Sequence, residues 1–143
     1  MISIVTGDLF ESKAQTIVNT VNCVGAMGKG IALEYKKRYP DMYEKYRELC
    51  EKKLLNIGQL WIYKSANKWI LNFPTKLDWR NPSKIEYLES GLNKFVIEYK
   101  QKGITSIAFP LLGASNGGID PYVSLGTMCK YLKTCDIPIH IYI

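Results

Sequence analysis

The fold is decided by residues 17–32, which read Ile17-Val18-Asn19-Thr20-Val21-Asn22-Cys23-Val24-Gly25-Ala26-Met27-Gly28-Lys29-Gly30-Ile31-Ala32. The first third of this stretch has the β-branched, apolar composition of a buried strand. Three glycines then fall within six residues, and a helical spacing follows at Ile31, Tyr35 and Tyr39. A glycine-rich turn between a strand and a helix lets a phosphate approach backbone N–H groups. An ordinary turn eased by glycine explains the same pattern equally well.

The rest of the chain predicts alternating strands and helices. Strand-like runs occur at residues 2–6, 16–21, 59–64, 68–73, 104–110 and 137–143, and residues 65–67 join the third and fourth runs into a hairpin. Later helices are predicted to begin at an Asp41 cap, at a capping box of Ser83 and Glu86, and at Asp120 followed by Pro121. The order β-β-α-α-β-β-α-β-α-β favours an α/β sandwich with a mixed sheet.

Composition excludes several classes of protein. The chain has 143 residues, of which 47% are hydrophobic and 22% charged, as expected for one globular domain spanning residues 1–143. No apolar run approaches the ~18–20 residues of a membrane span, and no signal peptide is evident. Cys23, Cys50, Cys129 and Cys135 lack paired spacing, and His140 lies in an alternating strand pattern. We therefore expect a cytoplasmic, monomeric protein without a metal or other cofactor.

The charge is positive and uneven. The net charge is +6, and residues 64–84 carry five basic residues against Asp78 alone. This excess permits an anionic partner such as a nucleotide or a nucleic acid. A solvated surface accounts for a charge cluster as readily, so the charge alone does not assign a partner.

Three further segments follow predicted strands, where ligands of α/β sheets usually bind. Residues 112–119, Leu112-Gly113-Ala114-Ser115-Asn116-Gly117-Gly118-Ile119, precede the helix capped by Asp120 and would pair with the first glycine-rich turn to enclose a diphosphate. Residues 72–82 carry Lys76, Arg80 and Trp79, which we expect to be exposed, a combination suited to a base or a sugar. Asp8 follows the first strand and is able to accept a hydrogen bond from an exocyclic amine.

Taken in order, these segments resemble the macrodomain, a fold that binds ADP-ribose. The resemblance covers essentially the whole chain and implies a three-layer α/β/α architecture with a six-stranded mixed sheet. Residues 19–32 together with Asn72-Phe73-Pro74-Thr75-Lys76 look like one branch in particular. That branch holds the terminal ADP-ribose protein glycohydrolases and the DarG-type antitoxins that remove ADP-ribose from DNA.

The resemblance implies a role for each matching residue. Asp8 and the backbone of Leu9 would bind the adenine, with Tyr142 as a candidate stacking partner, and Asn22 would hold the distal ribose. Lys76 matches the catalytic lysine of the branch, which is linked to attack at the anomeric carbon of that ribose. The diphosphate would lie against the backbones of Gly28, Gly30, Ser115, Asn116, Gly117 and Gly118.

Two departures from the branch bear on the substrate. Protein-directed members carry a catalytic aspartate in the second glycine-rich turn, whereas this chain has Asn116-Gly117-Gly118 there, the form found in DNA-directed members. The positive charge around Lys76 favours nucleic acid as well. DarG-type antitoxins usually continue into another domain, so this chain is interpreted as a stand-alone enzyme or an excised domain.

The sequence thus predicts a hydrolase that removes ADP-ribose from modified DNA bases. Hydrolysis of ADP-ribosyl esters on Glu or Asp side chains, or of O-acetyl-ADP-ribose, is the alternative reaction. A non-catalytic ADP-ribose reader and a generic nucleotide-binding domain are the alternatives outside this enzyme class. Lys76 distinguishes the enzyme from the reader, since a protein that only binds ADP-ribose has no need of a lysine there.

Overall fold

The secondary structure follows the predicted order of elements. In a computed structural model that describes residues 1–143, the strands are β1 (Ile2–Val5), β2 (Thr16–Asn22), β3 (Trp61–Lys64), β4 (Trp69–Lys76), β5 (Ile107–Pro110) and β6 (Ile139–Tyr142). The helices are α1 (Gly30–Arg38), α2 (Pro40–Glu51), α3 (Ile85–Glu98) and α4 (Pro121–Leu132), and one 3-10 turn covers Leu9–Glu11. None of the four helices combines the length and the apolar character that a membrane span requires.

All six strands form one sheet in the order β1-β6-β5-β2-β4-β3. Every neighbouring pair is parallel except β3 and β4, which form the predicted hairpin. The predicted mixed sheet is therefore confirmed. His140 is paired with Ser3 and Ala108 in the middle of β6, as expected for a strand residue.

Two separate hydrophobic cores show that helices cover both faces of the sheet. One core joins Val18 and Phe73 of the sheet to α3 and α4, and the other joins Ile17 and Ile70 to α1 and α2. Neighbouring residues of β2 and β4 enter different cores because successive side chains of a strand point to opposite faces. The three-layer α/β/α architecture follows from this alternation.

Two predicted helix caps are wrong. The second helix begins at Pro40 instead of after Asp41, since proline is well suited to the first helical position and shifts the start by one residue. The Ser83 capping box does not form, and Lys84 occupies the N-cap of α3 without a capping side chain. Ser83 is instead held against the turn before α4, where its backbone N–H donates to the carbonyl of Gly117 at 2.8 Å. The Asp120 cap is confirmed, because its carboxylate accepts from the N–H groups of Tyr122 and Val123.

The fourth strand is longer than predicted. We expected it to end at Phe73, with Lys76 in a loop, but β4 continues through Pro74 to Lys76. Pro74 is tolerated because β3 pairs with β4 only as far as Asn72, which leaves one edge of β4 free beyond that point. Lys76 is therefore the last residue of a strand and is held by the sheet.

Candidate active site

A cleft of about 790 Å³ opens at the carboxyl ends of β2, β4, β5 and β6. This volume lies in the range of small-molecule and cofactor sites. The cleft is lined by the two glycine-rich turns, by the ends of β2 and β4, and by the start of α4. The lining residues are Thr20, Val21, Asn22, Ala26, Gly28, Lys29, Gly30, Ile31, Ala32, Thr75, Lys76, Trp79, Pro110, Leu111, Gly113, Ala114, Ser115, Asn116, Gly117, Pro121, Tyr142 and Ile143.

The two glycine-rich turns meet across this cleft, as predicted. We refer to residues 22–30 as the first glycine loop and to residues 112–119 as the second glycine loop. A Cβ atom on Gly30 would lie 2.9 Å from the Nδ2 atom of Asn116, and the φ angle of Gly30 is 58°. The backbone conformation at this position favours glycine, and a side chain here would displace the amide of Asn116.

Gly117 lies where the backbone leaves no room for a side chain. A Cβ atom there would lie 2.3 Å from the carbonyl oxygen of Gly113 and 2.6 Å from the Oγ atom of Ser83. The second glycine loop is thus folded tightly onto itself and onto the residue before α3. Residues 113–117 of this loop line the cleft, and successive backbone N–H groups in a tight turn form concavities suited to anions.

The amide of Asn22 fixes the shape of the first glycine loop. Its Oδ1 atom accepts hydrogen bonds from the N–H groups of Val24 and Ala26, and its Nδ2 atom donates to the carbonyl of Ala26 at 2.8 Å. The hydroxyl of Tyr46 lies 2.6 Å from the Asn22 carbonyl and 2.9 Å from Oδ1. One N–H of the Asn22 amide is left for a ligand.

Tyr46 was not predicted as a residue of this region. It lies in α2, 24 residues from Asn22 and fully buried, and only the fold brings the two together. Burial raises the pKa of the Tyr46 phenol well above its usual range, so the hydroxyl stays protonated and remains a hydrogen-bond donor. The spacing of residues gives no signal for such a contact.

A β-bulge positions Lys76 beside Asn22. The register of β2 and β4 pairs Val21 with Pro74 but Asn22 with Lys76, so Thr75 is an extra residue in β4. A bulge redirects the side chains that follow it and is frequent next to active sites. The Nζ atom of Lys76 donates to the carbonyl of Trp79 at 3.3 Å.

No Asp, Glu, His or Cys side chain lines the cleft, and its ionisable side chains are Lys29, Lys76 and Tyr142. Cys23 follows Asn22 directly, but burial and the neighbouring Cys50 raise the pKa of its thiol to about 11, so it is not a thiolate near neutral pH. No group of three or more His, Cys, Asp or Glu side chains is close enough to hold a metal ion. Lys76 is therefore the group best placed for chemistry at the Asn22 end.

Of the remaining predicted ligand-binding residues, some line the cleft and others lie outside it. Tyr142 lines the cleft, and a Cβ atom on Gly7 would lie 3.9 Å from its ring, so Asp8 lies near that end. Asp8 is exposed and caps the 3-10 turn by accepting from the N–H of Phe10, while Leu9 is buried. Neither Asp8 nor Leu9 lines the cleft, and Gly118 lies just outside it. Their roles in binding stay predictions.

Trp79 is confirmed as an exposed residue at the cleft. Its side chain is 51% exposed and stands beside Lys76 in the lining. The guanidinium carbon of Arg80 lies 5.7 Å from the centre of the Trp79 ring. An exposed indole next to Lys76 offers a flat apolar surface to a group that extends out of the cleft past this lysine.

The fold and the cleft define an α/β protein with a ligand-sized cleft between two glycine loops at the carboxyl edge of its sheet. The macro domain family model matches residues 18–128, and the chain belongs to this family. The macrodomain of Mycobacterium tuberculosis DarG superposes with a TM-score of 0.95 at 39% identity, covering 99% of this chain and 97% of that one. Thermosipho africanus DarTG in complex with ADP-ribose superposes with a TM-score of 0.94 at 40% identity, covering 99% of this chain and 41% of that one.

A curated relative is named for its activity. The DNA ADP-ribosyl glycohydrolase of Mycobacterium tuberculosis is 44% identical over 124 residues, which cover 84% of this chain and 35% of the relative. The chain spans less than half the length of the first curated relatives it matches, at 35% to 42% of their residues.

Proposed function

We propose that this macrodomain is an ADP-ribosyl glycohydrolase that binds ADP-ribose and removes it from modified DNA bases. Relatives that are 38–44% identical are named for this activity, and a similar structure is described as a complex with ADP-ribose. The observation that carries the proposal is Lys76 at the end of β4, next to Asn22, in a cleft without any acidic side chain.

The ligand is proposed to run along the cleft from Tyr142 to Lys76. The adenine would lie at the Tyr142 end with the Asp8 carboxylate and the Leu9 backbone nearby. The diphosphate would be held between the two glycine loops by the backbones of Gly28, Gly30 and residues 115–118, since N–H groups and helix starts bind anions. The remaining N–H of the Asn22 amide would then donate to a hydroxyl of the distal ribose.

Lys76 is proposed to act as the nucleophile in its uncharged amine form. Its nitrogen forms a bond with the anomeric carbon of the distal ribose while the bond from that carbon to the base breaks. The proton lost by the amine passes to the base nitrogen that leaves. Water then replaces the lysine at the anomeric carbon, which releases ADP-ribose and restores the amine, so the net reaction is hydrolysis.

The cleft has no carboxylate side chain, so the proposed mechanism differs from one in which a carboxylic acid assists catalysis. Asp120 is the nearest acid in sequence to the second glycine loop, and its carboxylate is engaged in the α4 cap.

The substrate is proposed to be produced by a DNA ADP-ribosyl transferase. The Thermosipho africanus relative, named as a fusion of such a transferase with a DNA ADP-ribosyl glycohydrolase, supports this pairing.

The proposal is tested by comparing two substrates. The wild-type chain is incubated with a DNA oligonucleotide ADP-ribosylated on thymidine and with a protein ADP-ribosylated on glutamate, and released ADP-ribose is measured by chromatography. We expect release from the DNA at a rate at least about tenfold above release from the protein, a difference of about 1.4 kcal/mol in the barrier. Preferential release from the protein would support the ester hydrolase instead, and binding without any release would leave a reader.

A further inference from the structure

A second, smaller cavity lies next to the active-site cleft, and the segment that follows β4 contributes residues to both. The segment after β4, residues 77–82, contributes Trp79 to the cleft and Leu77, Asn81 and Pro82 to a separate cavity of about 330 Å³. Lys84 and Tyr87, at the start of α3, complete the lining of this second cavity. We call this set of five residues the flanking cavity. No residue lines both cavities, although residues 76–82 run continuously from one to the other.

The lining of the flanking cavity has the chemistry of a nucleotide site. Leu77 is 52% exposed and Tyr87 is partly exposed, so the cavity offers an apolar and an aromatic surface to a base. The Lys84 Nζ atom lies 6.0 Å from the centre of the Tyr87 ring, which places a cation beside that surface. The Asn81 amide adds donors and an acceptor for a base edge or a phosphate.

The electrostatics of this segment favour a phosphate backbone. Asp78 is the only acid between residues 64 and 84, and it is neutralised by Arg80, whose nitrogens lie 2.6 and 2.9 Å from the two carboxylate oxygens. These hydrogen bonds hold the pKa of the Asp78 carboxyl at about 2. Glu86, the next acid along the chain, does not line the flanking cavity. Lys84 therefore faces the cavity without a competing carboxylate in its lining.

The position of the flanking cavity matches the path of a modified strand. If the distal ribose lies at Lys76, the base attached to it would leave the cleft beside Trp79, and a neighbouring nucleotide on that side would lie against residues 77–82. The flanking cavity begins at that segment. A protein-linked substrate or free ADP-ribose has no neighbouring nucleotide to place there.

We propose that the flanking cavity binds the nucleotide next to the ADP-ribosylated one in single-stranded DNA, with the base against Tyr87 and Leu77 and the phosphate at Lys84. This inference rests on the proposed function. It adds that substrate length, and not only the modified base, contributes to recognition. The cavity lies on one side of the active-site cleft, so it serves either the 5′ or the 3′ neighbour and not both.

The test compares kcat/KM for an ADP-ribosylated mononucleotide with kcat/KM for the same nucleotide extended by unmodified nucleotides on the 5′ side only or on the 3′ side only. We expect Tyr87→Ala to lower kcat/KM by roughly tenfold for one extended substrate, the loss expected for one base–aromatic contact. Tyr87→Phe keeps the ring and should retain most of this activity. With the mononucleotide, the change for Tyr87→Ala should stay within about twofold, well below the effect of one stacking contact.

Lys84→Gln tests the phosphate contact independently. We expect it to reduce the slope of log(kcat/KM) against log[salt] by about 0.7 for the same extended substrate, the change for one lost contact to a single strand. Lys133→Gln is the charge-matched control, since Lys133 lies at the far end of α4 from the cleft and should leave the slope unchanged.

Each outcome bears on a different claim. Suppose that the wild type releases ADP-ribose from all three substrates, and that each Tyr87 or Lys84 variant changes the measured value by the same factor on all of them. The flanking cavity is then overturned and the proposed function stands. Equal losses on the 5′ and 3′ extended substrates also contradict a single neighbouring site. Release from none of the nucleic-acid substrates by the wild type overturns the proposed function and the flanking cavity with it.

Discussion

Asn22 shows how one side chain links the fold to the site. Three of its hydrogen bonds shape the first glycine loop, and the buried hydroxyl of Tyr46 holds it to α2. Asn22, which the family resemblance proposes as a ligand for the distal ribose, is thus a structural anchor of the loop that lines the cleft. Both roles are compatible because the amide keeps one free N–H.

Tyr46→Phe is predicted to weaken ADP-ribose binding several-fold and to lower stability by about 1–2 kcal/mol, since it removes the donor facing two buried acceptors of Asn22. Isothermal titration with ADP-ribose and urea unfolding measure the two effects. Tyr35→Phe is the matched control, because the Tyr35 hydroxyl is equally buried and donates to the Val18 carbonyl in the middle of β2. It should lower stability similarly without changing affinity. Equal affinities for both variants would remove Tyr46 from the organisation of the loop.

At the scale of elements, β4 runs from the hydrophobic core to the candidate active site. It carries Phe73 in the core and Lys76 at the cleft, with the bulge at Thr75 between them. The α3 helix packs so closely on this strand that a Cβ atom on Gly91 would lie 2.3 Å from the Phe73 ring. The close packing of α3 against Phe73 therefore fixes β4 three residues before Lys76.

Gly91→Ala is predicted to lower the free energy of unfolding by about 1–3 kcal/mol, because the added methyl overpacks a buried contact. Urea unfolding measures the change. Gly126→Ala is the control: Gly126 lies inside α4, where a Cβ atom would meet nothing within 4 Å, so alanine should stabilise that helix by roughly 0.5–1 kcal/mol. A neutral or stabilising Gly91→Ala would contradict the close packing of α3 on β4.

The elements could largely be predicted from the sequence, and their ends could not. Periodic apolar residues and glycine-rich turns predict all six strands and four helices in order, since these signals are local. The end of β4 was misplaced because Pro74 is a strong local stop signal that the free edge beyond Asn72 makes harmless. The Ser83 cap was wrong because a tertiary contact with Gly117 takes that residue away from the helix start.

Part of the candidate site could also be predicted from the sequence. The two glycine loops follow strands, and Lys76 ends one, at the same edge of the sheet, so local patterns bring them together once the sheet is assumed. The bulge at Thr75 and the Tyr46 anchor depend on contacts between distant parts of the chain, whereas the flanking cavity depends on how the short segment 77–87 folds. No spacing rule in the sequence encodes them.

At the scale of the whole molecule, a small polar network joins the end of α3 to the start of β6. The Tyr99 hydroxyl donates to Asp136 at 2.7 Å, and the Lys100 Nζ atom lies 3.0 Å from the other carboxylate oxygen. These two contacts lower the pKa of the Asp136 carboxyl below its usual value. A lowered carboxyl pKa means that the folded state favours the ionised form.

Asp136→Asn is predicted to lower the Tm slightly at neutral pH, since an exposed ion pair contributes little, and to have less effect in acid. The carboxylate stabilises the fold fully above its unfolded pKa of about 4, and this contribution is lost as the pH falls through the lower pKa of the folded state. Thermal unfolding of the wild type and the variant between neutral pH and about pH 2–3 measures this convergence. A difference in Tm that stays constant over this range would show that the charge is not responsible.

The measurement that tests the central claim most directly is the effect of Lys76→Ala on turnover and on binding. ADP-ribose release from the modified DNA oligonucleotide is measured under single-turnover conditions, and affinity for free ADP-ribose is measured by titration. Lys29→Ala, which removes the other lysine of the cleft, is the control. The account predicts that Lys76→Ala loses at least about a thousandfold in rate, about 4 kcal/mol, and keeps its affinity, while Lys29→Ala retains turnover within about tenfold. Unchanged release by Lys76→Ala would contradict the account, because the Lys76 amine is proposed to form the bond with the anomeric carbon.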